Sequence, residues 1–243
     1  MTPPAFGPRK GARLREPSHD HGEANTPAAV DAPTFDTGTT IVAVVIDGAV
    51  VMAADQRMSL GGQFTANKNA EKIAPVHPTG ALAISGSVGP AQDAVRSIRA
   101  EADLYRARRG GTMSMRALSR TAGQVVRGLP IAPILAGVDD EGGHVYELDG
   151  GGSVVEDVYA AGGSGMQVAY GVLEGRFDPE ASLSDATETA VDAVEAASER
   201  DTASGDGVTV ATITADGVEI EEWSDGTSAF DDSDGTDETG EVA

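Results

Sequence analysis

The sequence contains no cysteine, and this absence excludes several kinds of chemistry at once. Disulfide bonds, thiolate nucleophiles and cysteine-ligated metal centres all require that residue. The four histidines, at positions 19, 21, 77 and 144, show no metal-ligand spacing, so we predict no metal site and no cofactor. No apolar run approaches the roughly 20 residues that a membrane-spanning helix needs.

Lysine and aromatic residues are scarce, whereas acidic residues are abundant. Only three of the 17 basic residues are lysine, aromatic residues make up 4%, and 39 acidic residues give a formal net charge of −22. A chain this acidic repels phosphate backbones and anionic lipids, so we expect no nucleic-acid partner and no membrane partner. Concentrated salt would screen the repulsion within such a surface, since the Debye length falls to about 3 Å at 1 M. The charge therefore favours a protein of a high-salt cytoplasm over an ordinary acidic protein with a charged tail.

Composition divides the chain into three parts. Residues 1–38 hold six of the twelve prolines and no apolar stretch of the kind found in secretory signals, so we predict a disordered leader. Residues 224–243 hold seven acidic residues and no basic one, which predicts a disordered, solvated tail. The 185 residues between them, 39–223, are enough for a single domain with its own core.

Hydrophobic periodicity within residues 39–223 predicts blocks of strands separated by pairs of helices. Strands are predicted at 40–46, 49–54, 72–76, 81–85, 134–138, 144–148, 154–160, 208–214 and 218–222. Helices are predicted from 88, with Ser87 as N-cap, to the Gly110-Gly111 pair, at 115–129, from the turn at 162–165 to 174, and from 183 to 200. Because the strands do not alternate with helices, we predict an α+β fold. Its form would be a four-layer αββα sandwich, with two mainly antiparallel sheets packed on each other and helices on both outer faces.

The common catalytic motifs do not occur in this sequence. There is no G-x-S-x-G nucleophile elbow, no H-E-x-x-H and no G-x-x-x-x-G-K-[ST]. His77 is predicted in a turn and His144 in a hairpin, and we interpret both as surface histidines. Any catalysis must therefore depend on other residues.

Thr37-Gly38-Thr39-Thr40 lies where the predicted leader meets the first strand. If the chain were cut between Gly38 and Thr39, Thr39 would carry a free α-amino group beside its own hydroxyl. An α-amine has a pKa of about 7.7–8.0, so it can act as the base for that hydroxyl near neutral pH. While the leader is attached, the nitrogen is an amide without basicity, so the leader would keep the site inactive. Taken alone, the segment is better explained as the start of a strand.

Six short segments together carry a resemblance to a known family. They are Thr-Gly-Thr-Thr at 37–40, Ala-Ala-Asp-Gln-Arg at 53–57, Lys-Asn-Ala-Glu-Lys-Ile at 68–73, Ser-Gly-Ser-Val-Gly at 85–89, Ala-Gly-Gly-Ser-Gly at 161–165 and Arg-Asp-Thr-Ala-Ser-Gly-Asp at 200–206. In this order and spacing they resemble the β subunits of archaeal 20S proteasomes, which are N-terminal-nucleophile hydrolases. No single segment is specific, but the match covers about residues 37–222, nearly the whole predicted domain.

The resemblance implies a role for each matching residue. Thr39 would be the nucleophile and its amine the base, after cleavage between Gly38 and Thr39. Lys72 would favour the neutral amine and the alkoxide, and Asp55 would pair with Lys72 and orient it. The other implied site residues are Gly86, whose backbone N–H would stabilise the oxyanion, and Ser164, Asp201 and Ser204, which would hydrogen-bond around the Thr39 amine.

The resemblance also implies a specificity pocket without charged side chains. Its residues would be Met58, Ser59, Ala70, Ala74, Ile84, Val88 and Gln92. An uncharged pocket favours cleavage after apolar residues, similar to chymotrypsin-like activity. One extra residue near 61–63 departs from the family pattern, and it bears on how that loop would hold a substrate strand.

The implied partners are those of a proteasome core particle in the cytoplasm. They are other β subunits in a seven-membered ring, α subunits in an α7β7β7α7 core, an AAA ATPase regulator acting through the α ring, and unfolded protein substrates. Two alternatives stay open: an HslV-like threonine peptidase subunit of a six-membered ring, and a non-catalytic subunit that only builds the ring. An inactive subunit often lacks the residue equivalent to Thr39, Asp55 or Lys72, and all three residues are present here.

Overall fold

The computed structural model describes residues 38–223, so the predicted acidic tail and all of the predicted leader except Gly38 lie outside the described residues. The strands are β1 (Thr40–Ile46), β2 (Ala49–Asp55), β3 (Met58–Leu60), β4 (Phe64–Asn67), β5 (Ile73–His77), β6 (Gly80–Ala83), β7 (Ile134–Asp139), β8 (Gly142–Leu148), β9 (Val154–Asp157), β10 (Tyr159–Gly163), β11 (Val208–Thr214) and β12 (Gly217–Trp223). The helices are α1 (Val88–Arg109), α2 (Met115–Val126), α3 (Met166–Arg176) and α4 (Leu183–Ser198). None of the helices within 38–223 is long and apolar enough to cross a membrane.

The strands form two five-stranded antiparallel sheets and one separate hairpin. The first sheet has the order β10-β1-β2-β11-β12, the second has the order β5-β6-β7-β8-β9, and β3 pairs only with β4. A buried apolar cluster that includes Ile41, Met52 and Ile134 joins the two sheets. A second cluster joins the first sheet to α3 and α4, and a third joins the other sheet to α1 and α2. The predicted αββα sandwich is therefore confirmed.

The sequence of β1 shows why the sandwich has four layers. Successive side chains of a strand point to opposite faces of its sheet. Ile41 and Ala43 accordingly pack between the sheets, whereas Val42 and Val44 pack under the helices. A strand covered on both faces needs apolar residues at both alternating positions, which explains the continuous apolar run.

Local signals account for three of the helix boundaries. Ser114 and Ser182 cap α2 and α4, because their hydroxyls accept the backbone N–H groups of Ala117 and Asp185. α1 ends at Gly110, which has the left-handed conformation (φ 72°) that glycine adopts without strain. Ser87 occupies the predicted N-cap position of α1 without a side-chain capping hydrogen bond.

The strand prediction was wrong at one position and missed one hairpin. The single strand predicted at 154–160 is two strands in different sheets, because β9 pairs with β8 and β10 pairs with β1. Val158 lies at the crossing, where its carbonyl accepts a hydrogen bond from the N–H of Val45. The β3–β4 hairpin was missed, since its strands have only three and four residues.

Candidate active site

Asp55 ends β2 and is fully buried. Its Oδ1 atom accepts three hydrogen bonds. The donors are the Thr39 hydroxyl at 3.0 Å, the Thr40 backbone N–H at 2.8 Å and the Lys72 Nζ at 2.6 Å. The predicted nucleophile and the predicted cation therefore meet at one carboxylate oxygen.

The second oxygen of Asp55 is held by the backbone of two loops. Oδ2 accepts the N–H of Arg57 at 3.1 Å and the N–H of Gly205 at 2.9 Å. A buried carboxylate is stable only when its hydrogen-bonding capacity is satisfied. Five donors meet that condition here and fix the plane of the carboxylate.

Lys72 lies immediately before β5 and is 8% exposed. Burial lowers the pKa of its ammonium below the usual 10.5, and the neighbouring Asp55 carboxylate opposes this by favouring the charged form. The backbone of Lys72 is held by a hydrogen bond from the Ile84 N–H to its carbonyl, at 2.9 Å. The site thus contains a compact, partly desolvated cation beside the Thr39 hydroxyl.

Ser164, Asp201 and Ser204 lie on the other side of Thr39, but only one of them contacts it directly. The Thr39 backbone N–H donates to Ser164 Oγ at 3.0 Å, and that hydroxyl donates to Asp201 Oδ2 at 2.5 Å. Ser204 Oγ donates to the same Asp201 oxygen at 2.7 Å and lies 2.8 Å from the Thr40 hydroxyl. The three predicted residues therefore lie close together. Asp201 contacts Ser164, and Ser204 contacts Asp201 and Thr40.

Gly38 packs so closely that no side chain fits. A Cβ atom at this position would lie 1.9 Å from the Cβ of Ala203 and 2.9 Å from Ser164 Oγ. The peptide bond between Gly38 and Thr39 is intact in this chain, so the Thr39 nitrogen is an amide and donates to Ser164. Because residue 38 is a glycine, the Gly38–Thr39 peptide bond, which is the predicted cleavage site, can lie directly against the residues that surround Thr39.

A groove of about 790 Å³ opens beside this peptide bond. Gly38, Gly86, Ser164 and Asp201 are among its lining residues. Gly86 has φ 103°, and a Cβ atom there would lie 2.6 Å from the Pro130 carbonyl oxygen. The predicted oxyanion residue thus lies in the same groove as Gly38, in a conformation that favours glycine.

The seven predicted pocket residues do not line that groove. Met58 and Ser59 belong to β3, Ala74 to β5, and Val88 and Gln92 to the start of α1. The other two lie between elements: the Ala70 N–H donates to the Gln56 carbonyl, and Ile84 packs with Ala74 against the α1–α2 cluster. Their role in specificity stays a prediction.

The extra residue noted near 61–63 falls at the tip of the β3–β4 hairpin. Gly61 and Gly62 form its turn with φ of 59° and 69°. The Thr202 hydroxyl donates to the Gly62 carbonyl at 3.4 Å. The hairpin tip therefore contacts the loop that follows α4.

The interpretation of His77 and His144 as surface residues was wrong, because each is 8% exposed. The ring nitrogens of His144 lie 2.9 Å from Glu156 Oε1 and 3.0 Å from Asp139 Oδ1. The His144 ring also stacks on Tyr146, with centroids 5.9 Å apart. The carboxylates that compensate for burial are brought together by strand pairing, so sequence spacing does not reveal them.

Two further residues at the site had no role in the sequence prediction. Arg57 was noted only as part of a motif, yet its Nε donates to Asp206 Oδ2 at 2.7 Å. Asp206 is the one non-glycine residue of the described range 38–223 with a positive φ, at 65°. An Arg two residues after a buried strand, and an Asp between two glycines, are the sequence signals that could have indicated the pair.

Comparison with known proteins gives a consistent result over most of the chain. The family model "Proteasome subunit" matches residues 35–213. A proteasome subunit beta of Halorhabdus utahensis is 49% identical over 223 residues, covering 90% of this chain and 95% of that protein. A proteasome subunit beta of Halomicrobium mukohataei is 53% identical over 192 residues, covering 78% and 81%, and the proteasome subunit beta 1 of Haloarcula marismortui is 49% identical over 203 residues, covering 82% and 85%.

These relatives come from halophilic archaea, which agrees with the high-salt prediction drawn from the charge. The resemblance seen in the six segments is confirmed by matches that extend well beyond them. The chain therefore belongs to the proteasome subunit family, and its similarity is to the β subunits of halophilic archaea.

Proposed function

We propose that this chain is a catalytic β subunit that is cut between Gly38 and Thr39 and then hydrolyses peptide bonds with Thr39. The observation that carries the proposal is the shared acceptor, since Thr39 Oγ1 and Lys72 Nζ both donate to Asp55 Oδ1. A nucleophilic hydroxyl and a cation are thereby both bound to one orienting carboxylate. This combination is what activation of a hydroxyl nucleophile requires.

The first reaction would be self-cleavage. Thr39 Oγ attacks the carbonyl carbon of Gly38, the bond from that carbon to the Thr39 nitrogen breaks, and the nitrogen takes up the proton of the hydroxyl. The result is an ester between Gly38 and Thr39 with a free α-amine. Water then hydrolyses the ester, which releases residues 1–38 with a terminal carboxylate and restores the Thr39 hydroxyl.

The second reaction would be turnover of substrate. The α-amine accepts the proton of Thr39 Oγ, which attacks the substrate carbonyl, and the Lys72 ammonium stabilises the negative charge on Oγ. The Gly86 N–H would stabilise the oxyanion, a contact worth about 3 kcal/mol in comparable sites. The amine returns its proton to the leaving nitrogen, and water hydrolyses the acyl-enzyme.

The family assembles into the proteasome core with other subunits. For this chain we propose a seven-membered β ring stacked on α rings, an AAA ATPase regulator that delivers unfolded proteins, and a cytoplasmic location at high salt. The uncharged predicted pocket supports cleavage after apolar residues. An HslV-like six-membered ring would contradict this assembly, and particle images that resolve the ring symmetry distinguish the two.

The test of catalysis is the N-terminus of the assembled particle. Intact mass should show wild-type chains lacking residues 1–38, and Thr39→Ala chains retaining them with no peptide hydrolysis. Thr39→Ser is the matched control, because it keeps the hydroxyl and should still be cut. Fully assembled wild-type particles that keep residues 1–38 and hydrolyse no peptide would support a non-catalytic ring subunit instead.

A further inference from the structure

We propose that Arg57 and Asp206 form a clamp that positions the loop at 201–207 against the active site. The inference rests on the proposed function, because it gives these two residues the role of positioning the groups of that same active site. Neither residue contacts a reacting atom, so both are positioning residues. The clamp is defined as the ion pair between the Arg57 guanidinium and the Asp206 carboxylate.

The clamp joins the end of β2 to the loop before β11. Arg57 Nε donates to Asp206 Oδ2 at 2.7 Å, and Arg57 Nη1 donates to the Thr202 carbonyl at 3.0 Å. The two side chains are 25% and 15% exposed, so molar salt screens this pair less than it screens an open surface pair. One arginine therefore fixes both ends of the five-residue stretch 202–206.

The loop has a backbone conformation that needs such a restraint. Gly205, Asp206 and Gly207 have φ of 141°, 65° and 116°, and a non-glycine residue in this region is disfavoured. The Gln56 N–H lies 3.1 Å from the carbonyl oxygens of both Gly205 and Gly207. Cβ atoms at the two glycines would lie 2.7 Å from the Arg57 guanidinium and from the Gln56 side-chain oxygen, so the loop packs directly on the residues that follow Asp55.

The position of this loop is transmitted to both halves of the site. The Gly205 N–H donates to Asp55 Oδ2, which holds the carboxylate that binds Lys72. At the other end of the loop, Asp201 accepts the Ser164 hydroxyl, and Ser164 in turn accepts the Thr39 N–H. A shift of the loop would therefore change the surroundings of the Thr39 amine and of Lys72 together.

The expected sizes of the effects on folding and on the reaction rate favour a role of the clamp in positioning over a role in stability. A partly exposed ion pair contributes little to folding, so its loss should not unfold the domain. A displacement of about 1 Å among reacting groups, in contrast, can reduce a rate about 100-fold. The clamp should therefore matter much more for turnover than for assembly.

The chain offers a matched control on the same carboxylate. Lys68 Nζ lies 3.7 Å from Asp206 Oδ1, and its side chain is 75% exposed. This contact is longer and open to solvent, so molar salt should screen it. Removing the Lys68 charge tests whether any cation near Asp206 is enough, or whether the bonds made by Arg57 are needed.

The experiment compares assembled particles of the full chain carrying Arg57→Gln, Asp206→Asn, both changes, or Lys68→Gln, all in molar salt. We expect each clamp variant to lower kcat of peptide hydrolysis at least about tenfold, with the double variant no worse than about the stronger single variant. Lys68→Gln should stay within about twofold of wild type. Arg57→Lys, which keeps one donor and the charge, should recover part of the activity.

A pH profile separates positioning from a loss of folded enzyme. Asp201, through Ser164, and the buried Asp55 favour the protonated form of the Thr39 amine, whereas Lys72 and Arg57 favour the neutral form. Arg57→Lys keeps the positive charge, so a displacement of Asp201 in this variant should move the acidic limb of kcat to lower pH. A purely structural defect would lower the amplitude of the profile without moving the limb.

The outcomes distinguish the clamp from the function on which it depends. If wild-type particles hydrolyse peptide, Thr39→Ala does not, and the assembled clamp variants have normal kcat and an unmoved profile, the clamp is refuted and the proposed function stands. If wild-type particles show no hydrolysis that depends on Thr39, the proposed function fails first. Equal losses in Lys68→Gln and Arg57→Gln would also overturn the clamp, since they would indicate a general charge effect.

Discussion

Thr39 and Lys72 donate hydrogen bonds to the same carboxylate oxygen, Oδ1 of Asp55, at 3.0 and 2.6 Å. Because both donors share one acceptor, the hydroxyl and the ammonium cannot be farther apart than the sum of these two distances. Asp55 is fully buried and Lys72 is 8% exposed, so the charge of the pair acts in a poorly solvated environment. Four predictions about processing, catalysis and assembly can be tested directly.

Lys72→Arg should lower peptide hydrolysis about 100-fold or more, the scale of losing a positioned catalytic group. The charge is kept, but the planar guanidinium does not fit where a compact ammonium lies 2.6 Å from Asp55. The measurement is kcat per assembled particle, with Lys68→Arg as the exposed control. Near-normal turnover of the Lys72 variant would mean that its charge, rather than its geometry, is sufficient.

Hydrolysis by the mature particle should have a bell-shaped dependence on pH. The acidic limb reflects loss of the proton from the Thr39 amine, whose ordinary pKa is about 7.7–8.0. The alkaline limb reflects loss of the Lys72 charge, and because burial lowers the pKa of Lys72, this limb should fall below pH 10.5. An alkaline limb at or above 10.5, measured in particles that sediment intact, would contradict the desolvated state of Lys72.

Gly38→Ala should slow or prevent removal of residues 1–38. The added Cβ would lie 1.9 Å from the Ala203 Cβ, so the peptide bond before Thr39 must move away from Ser164. Intact mass over a time course of assembly measures the effect. Gly171→Ala in α3, where an added Cβ meets nothing within 4 Å beyond the backbone of its own helix and its chain neighbours, should be processed at the wild-type rate. Equal processing of the two variants would show that the fit of Gly38 is unimportant.

Assembled particles should dissociate and lose activity in dilute buffer and stay intact in molar salt. Each chain carries a formal charge of −22, and repulsion between neighbouring subunits extends farther as the Debye length grows. Sedimentation and hydrolysis measured across a salt series check this. A truncation after residue 223 is the control and should shift the transition little. Particles that remain intact and active at about 10 mM salt would refute the high-salt requirement without affecting the assignment of Thr39.

Local sequence patterns were sufficient for much of the fold. The prediction of a strand at 40–46 coincides with β1, and the two-residue turn at 47–48 follows from Asp-Gly, because glycine adopts φ 72° there without strain. α2 and α4 begin after serines whose hydroxyls cap them. These features depend on neighbours in the chain, so they can be recognised without the rest of the molecule.

The sheet assignment of β9 and β10 could not be obtained in that way. Residues 154–160 have a continuous strand pattern, and only the pairing partners β8 and β1 show that the chain leaves one sheet for the other. The same reason explains the error at His144. A histidine beside Glu156 and Asp139 can be buried, but those carboxylates become its neighbours only after the sheet has formed.

The candidate site also combines features that the sequence shows with features that only the tertiary structure shows. The sequence by itself determined which residue types were available: a threonine after a glycine at 38–39, an Asp at the end of an apolar strand, and a Lys before the next strand in a chain with three lysines. Only the tertiary structure decided that Asp55 receives five hydrogen bonds, that Asp201 is bonded to Ser164, and that Arg57 reaches Asp206 across 149 positions of sequence. The physical reason is that strand order within the first sheet, where β2 lies between β1 and β11, brings chain segments together that no local pattern connects.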